Sequence, residues 1–83
     1  MDRDAAYEIV FRHLTVQFEL PPEKVRPEAG LFTDLELDSI DALDMVGYLE
    51  TELGIQVVEE ELQRLRVVED VVQYVVRHAP APE

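Results

Sequence analysis

The stretch Leu35-Glu36-Leu37-Asp38-Ser39-Ile40-Asp41 puts a serine where a long connection runs into an acidic helix. The common use of serine at such a junction is to cap the helix by accepting a backbone N–H. The same place offers a hydroxyl beside N–H groups that have no intrahelical acceptor. That favours a phosphoester, against opposition from the carboxylates of Asp38 and Asp41. The pattern argues against a hydrolase. No G-x-S-x-G elbow surrounds Ser39, and no spacing pairs it with His13 or His78. The chain has no cysteine, which removes a thiol nucleophile, a thiolate zinc site and a disulfide framework, and fits a reducing compartment.

Ten acids follow one another from Asp34 to Glu61: Asp34, Glu36, Asp38, Asp41, Asp44, Glu50, Glu52, Glu59, Glu60 and Glu61, with no Lys, Arg or His among them. A charge run is ordinarily a solvated face. Here the repulsion is uncompensated within the stretch, which costs stability and suggests a docking surface for basic partners. A calcium loop begun at Asp34 fails, because Ser39 falls where glycine is needed and Met45 where a bidentate glutamate is needed. Loose divalent-ion binding to the acidic surface stays open.

Several elements must position this serine and these acids. Residues 4–18 carry Ala6, Ile9, Val10, Leu14 and Gln17 at helical spacing, with Asp2 or Asp4 as cap. Pro21, Pro22, Pro27 and Gly30 break any helix over 19–38, while Leu20, Val25, Leu31, Phe32 and Leu35 predict that this connection packs on the body. A second helix is predicted over 39–53, with Ala42, Met45, Val46, Leu49 and Leu53 on one face, Ser39 as N-cap or first-turn residue, and Gly54 as stop. Residues 59–65 fit two turns. The valine-rich stretch 67–78 reads as a last helix from Val68, Val71, Val72, Val75 and Val76. The expected fold class is all-α: a small four-helix bundle, three longer helices and one short, over residues 1–79. Residues 80–83 are expected to form a flexible tail.

At 83 residues and a formal net charge of −12, the chain is one small acidic domain; 47% hydrophobic residues set it apart from a disordered acidic tail. It lacks the basic stripe that nucleic acid requires, and no apolar run reaches the ~18–20 residues of a membrane span. Its first residues, Met-Asp-Arg-Asp, lack the basic start of a secretory signal. The expectation is a cytoplasmic monomer.

Asp38-Ser39-Ile40-Asp41, the acidic helix after it, Leu53, a short acidic helix and a Val-rich last helix together resemble the acyl carrier protein family. The likeness runs from about Leu31 to Tyr74, and more loosely over the first helix. It implies that the chain is no enzyme. Ser39 would bear 4′-phosphopantetheine as a phosphodiester, with Asp38 the acid before it, and the arm would hold acyl groups as thioesters. The implied partners are a phosphopantetheinyl transferase and acyl-transfer, ketosynthase or acyl-ligase enzymes with basic surfaces. Asp41, Asp44 and Glu50 match docking acids of the family. Met45, Leu49, Leu53, Leu65 and Val68 match positions that can shelter an acyl chain, and ordinary core packing explains the same five.

The sequence also departs from the fatty-acid-synthesis pattern of that family. Gly47 replaces a larger apolar residue, Thr51 an acid, Val58 a proline and Val67 a capping threonine. These changes suggest a specialised fatty acid, lipid or polyketide pathway. Peptidyl and D-alanyl carriers share the implied fold and arm, but peptidyl carriers usually have a glycine pair where this chain has Glu36 and Leu37. A helical interaction module without a prosthetic group is the alternative from another class.

Overall fold

The structure, a computed structural model, describes residues 2–78 (the side chain of Glu59 excepted); the tail expected at 80–83 lies outside them. Asp2 is the residue that starts the first helix: its carboxylate accepts the Ala5 N–H at 2.8 Å, and α1 runs Arg3–Gln17. The buried face is Ala6, Val10, His13 and Leu14. Gln17, expected on that face, is exposed. His13 is buried in its stead, because it stacks on Tyr48 of the second helix, an interaction between elements that periodicity does not encode.

The prolines confine the connection to one 3₁₀ turn, Pro22–Lys24, as a proline at the first position allows. The connection does pack on the body. Val25, Ala29, Leu31, Leu35 and Leu37 are buried and Leu20 is partly so, but Phe32 is 50% exposed, against expectation. A tight turn explains the difference. The Asp34 carboxylate accepts the Gly30 N–H at 2.7 Å, and Gly30 O accepts the N–H groups of Asp34 and Leu35. The turn sends Leu31 and Leu35 inward and leaves Phe32 outside. A Cβ at residue 30 would stand 2.0 Å from Thr33 Oγ1, so any larger residue there would have to turn the threonine side chain aside.

The connection is tied to the far end of the chain by an isolated antiparallel bridge between Gly30 and Val67. Leu31 donates to Arg66 O at 2.8 Å, Val68 to Ala29 O at 3.0 Å, and Glu69 to Pro27 O at 2.8 Å.

The second helix, α2, spans Ser39–Leu53 and buries Ala42, Met45 and Leu49, with Val46 and Leu53 half-buried on the same face. Gly54 ends it in the left-handed conformation, φ 67°, and turns Ile55 into the core. The short helix α3, Glu59–Leu62, is shorter than the two turns expected. Beyond it the bonds tighten: Arg64 donates to Glu61 O and Leu65 to Leu62 O, three residues back in each case.

The last helix, α4, spans Val68–His78 and buries Val68, Val71, Val72, Tyr74 and Val75. Asp70 reaches back to the N–H groups of Arg66 and Val67 at 2.9 and 3.1 Å, while the N–H groups of Glu69 and Asp70, which a threonine at 67 would serve, go to Pro27 O and Val67 O. α4 packs mainly on α1. Arg3 of α1 also pairs with Glu69 of α4, its Nε 3.1 Å from Oε2. The result is the all-α four-helix bundle predicted, with no strand among the described residues.

Candidate functional site

Asp38, not Ser39, is the N-cap of α2. Asp38 Oδ1 accepts the Asp41 N–H at 2.9 Å, and Asp41 Oδ2 accepts the Asp38 N–H at 3.3 Å. This reciprocal pair is a capping box built with an aspartate at its third position. Ser39 becomes the first helical residue, exposed, with its hydroxyl released from the structural task. Of the two positions sequence allowed for it, cap and first turn, the structure selects the second.

Apolar side chains surround the serine, and sequence reasoning did not single them out. Ile40 is 74% and Leu43 64% exposed, both off the buried stripe of α2. A hollow of about 270 Å³ lies between α2 and α3, lined by Phe32, Ser39, Ala42, Leu43, Leu62 and Gln63. One signal was available. Ile40 and Leu43 stand on the polar outer face of the helix without fitting the stripe at 42, 45, 46, 49 and 53.

The three candidate docking acids differ in their freedom. Asp41 is half-buried and committed to the capping box. Glu50 is exposed and accepts the Val57 N–H at 3.4 Å, at the root of the α2–α3 connection. Asp44 stands exposed near His13. Burial pulls the His13 imidazole below its ordinary pKa, and the nearby Asp44 carboxylate opposes this. Among the described residues, the one ion pair that reaches an acid of the 34–61 stretch is His78–Glu61 at 3.7 Å, which requires a protonated imidazole. The acidic stretch is therefore largely uncompensated in space as well as in sequence.

The five candidate acyl-lining residues share one core cluster: Met45, Leu49, Leu65 and Val68 are buried in it, and Leu53 packs against it partly exposed. None of the five lines the hollow beside Ser39, whose floor is Ala42 and Leu62. Tyr74, also missed, braces this side of the bundle. Its hydroxyl donates to Gln56 O at 3.2 Å and accepts the Val58 N–H at 3.4 Å, tying the α2–α3 connection to α4.

Among the described residues no group of three His, Cys, Asp or Glu side chains is placed to hold a metal ion, and no helix is long and apolar enough to cross a membrane. The arrangement is a presented hydroxyl between an apolar hollow and an acidic helix.

The model of the phosphopantetheine attachment site family matches residues 11–75. An acyl carrier protein of Thermosynechococcus vestitus is 39% identical over 59 residues, covering 71% of this chain and 73% of its own. One of Rubrobacter xylanophilus is 32% identical over 81 residues, covering 98% of this chain and all of its own. The chain belongs to the acyl carrier protein family. The solved acyl carrier protein of Enterococcus faecalis superposes with a TM-score of 0.79 at 25% identity, over 95% of this chain and 100% of that one.

An acyl carrier protein bears 4′-phosphopantetheine covalently, and the released serine hydroxyl beside an apolar hollow fits such a group. The arm supplies the thiol that this cysteine-free carrier lacks. Two departures of this carrier from the family pattern now have a structural account. Backbone carbonyls of Pro27 and Val67 take the N–H groups that a capping threonine would serve, and Gly47 lies exposed in mid-helix with open space where a side chain would stand.

Proposed function

We propose that Ser39 is the attachment residue and that the carrier presents acyl thioesters to enzymes of a specialised fatty acid, lipid or polyketide pathway. The observation that carries this reading is the division of labour at the start of α2. Asp38 and Asp41 close the helix, and the serine between them is exposed with its hydroxyl free for esterification. A phosphopantetheinyl transferase makes that bond. Acyl-transfer, ketosynthase or acyl-ligase enzymes with basic surfaces then meet the acidic face. Docking through exposed charges is weak and fast to reverse, which suits a carrier that must leave each partner after one step. In this reading Asp44 and Glu50 act chiefly through charge, while Asp41 also holds the helix start. An acyl chain entering beside Ser39 passes Ala42 and Leu62 and must part Met45, Leu49, Leu53, Leu65 and Val68 to be sheltered.

Intact mass after co-expression with a broad-specificity phosphopantetheinyl transferase tests the assignment. The wild type gains the mass of the arm and Ser39→Ala gains nothing; an unmodified wild type overturns the reading. Asp44→Lys tests the docking face without disturbing the capping box. It should weaken binding to a cognate partner several-fold at low salt and leave the helical spectrum intact, and unchanged affinity would place docking elsewhere.

A further inference from the structure

We infer that the trough between α1 and α2, opened by the missing side chain at Gly47, receives an arginine side chain of a partner protein. This inference rests on the reading of the acidic face as a docking surface and names what is recognised there. Two hollows meet in the trough, the larger about 350 Å³, and they share His13, Gln17 and Tyr48. In α2, Leu43, Gly47 and Thr51 form one row four residues apart, and Asp44, Tyr48 and Glu52 form the next. A Cβ at residue 47 would meet nothing within 4 Å, so the middle of the first row is empty.

The trough is also polar in one particular way. His13 and Tyr48 stack at 3.9 Å with 13° between their planes, and Phe18 meets His13 edge-on at 5.3 Å. His13 is only 9% exposed, and its Nε2 has no hydrogen-bond partner. Carboxylates stand on either side of Tyr48 along the helix, Asp44 and Glu52, both exposed. An aromatic pair flanked by two carboxylates suits a planar guanidinium. That group stacks on rings, donates in several directions and sheds its water more readily than an ammonium. With its pKa held down by burial, His13 is neutral near pH 7 and does not repel such a cation. Arg12, which lines the outer end of the trough, pairs with Glu8 at 3.2 Å.

Two features favour an arginine carried by a protein over a free guanidino compound. The uncompensated acids of residues 34–61 steer a basic surface toward α2. Leu43 and Val16, 64% and 70% exposed, border the trough at its two ends and offer apolar contact to the residues around the arginine.

The test is an NMR titration of the carrier with N-acetyl-arginine amide, N-acetyl-lysine amide, N-acetyl-leucine amide and the blocked peptide Leu-Ala-Arg-Ala-Leu. The arginine probe should give saturable shifts concentrated at His13, Gly47, Tyr48 and Thr51, several-fold tighter than lysine, and the peptide should bind tighter still. Gly47→Leu should abolish these shifts while melting no lower than the wild type, because leucine is the better helix former and enters open space. Equal response to lysine or leucine overturns the inference, as does a Gly47→Leu carrier that keeps the shifts. Equal affinity for the peptide and the single amino acid overturns the protein as the source. Loading of Ser39 in the wild type, read by mass, is measured separately from the titration. A wild type that loads fully yet shows no saturable shift therefore removes this inference alone.

Discussion

The last helix and the second helix spend their residues in opposite ways. α4 buries five of its eleven residues and seats them on α1, and the pair is further joined by the Arg3–Glu69 ion pair. α2 has fifteen residues, buries three, and turns Ile40, Leu43, Asp44 and Glu50 to solvent. Stability is thus concentrated in the half of the bundle that presents nothing. The half proposed to meet partners is held by a narrow apolar stripe and its two caps. The proposed loading at Ser39 and entry of cargo beside α2 would gain from this separation.

The sharpest way to break the contrast is to remove one side chain from each half. Leu14→Ala, beneath α4, should cost about 2–5 kcal/mol, a large share of the roughly 5–15 kcal/mol that holds a small domain together. Leu43→Ala, on the outer face of α2, should stay within about 0.5 kcal/mol. Urea unfolding followed by circular dichroism reads both, and similar losses would abolish the distinction.

Removing the cap of α2 should have a smaller effect. Asp38→Ala deletes one arm of the capping box and should cost about 0.5–2 kcal/mol. In a domain this size the melting temperature should fall by roughly 4–8 °C per kcal/mol. An unchanged melting temperature would mean that Ser39 takes over the cap.

The smallest effect concerns His13, where the two halves touch. Burial lowers its pKa in the folded state, while the unfolded side chain titrates near 6.5. The unfolded chain therefore takes up the proton first as pH falls. The stability in question is fully present above about pH 6.5 and is lost on acidification through the folded pKa. His13→Phe should melt with a flatter dependence between about pH 7.5 and 5.5 than the wild type. Parallel melting curves would show that the imidazole titrates as freely folded as unfolded.

Features that rest on neighbours along the chain were legible in the sequence. The stripe of α2, the stop at Gly54, the valine spacing of α4 and the inward packing of the proline-rich connection all appear as read. The start of α2 near Ser39 was legible too, because the breakers upstream and the acids downstream leave few other places for a helix to begin, but the choice of Asp38 as cap over the serine was not. Features settled across space were hidden. His13 replaces Gln17 on the buried face because the Tyr48 ring of α2 receives it, with Phe18 at the end of α1 closing on its edge. Phe32 is expelled by a turn whose hydrogen bonds involve an aspartate four residues from its glycine. α3 stops early as its bonding tightens, and Asp70 reaches back from inside its own helix, against the direction in which a capping residue is sought. At the site, the acids were readable as charge, but their division between Asp41 in the cap and Asp44 in solvent depends on geometry.

The bridge between Gly30 and Val67 gives the long connection two unequal halves. Upstream of it, around the exposed turn at Pro22–Lys24, added residues would only widen an excursion over the surface. Downstream, Leu31 is fastened to Arg66, Leu37 is fastened back to Leu31, and the next two residues are Asp38 and Ser39. That segment works as a ruler: it measures the serine from the root of α4, and one inserted residue would change the reading. Linkers, tags and grafted loops therefore belong on the near side of the bridge, and the far side should be transplanted whole or left alone.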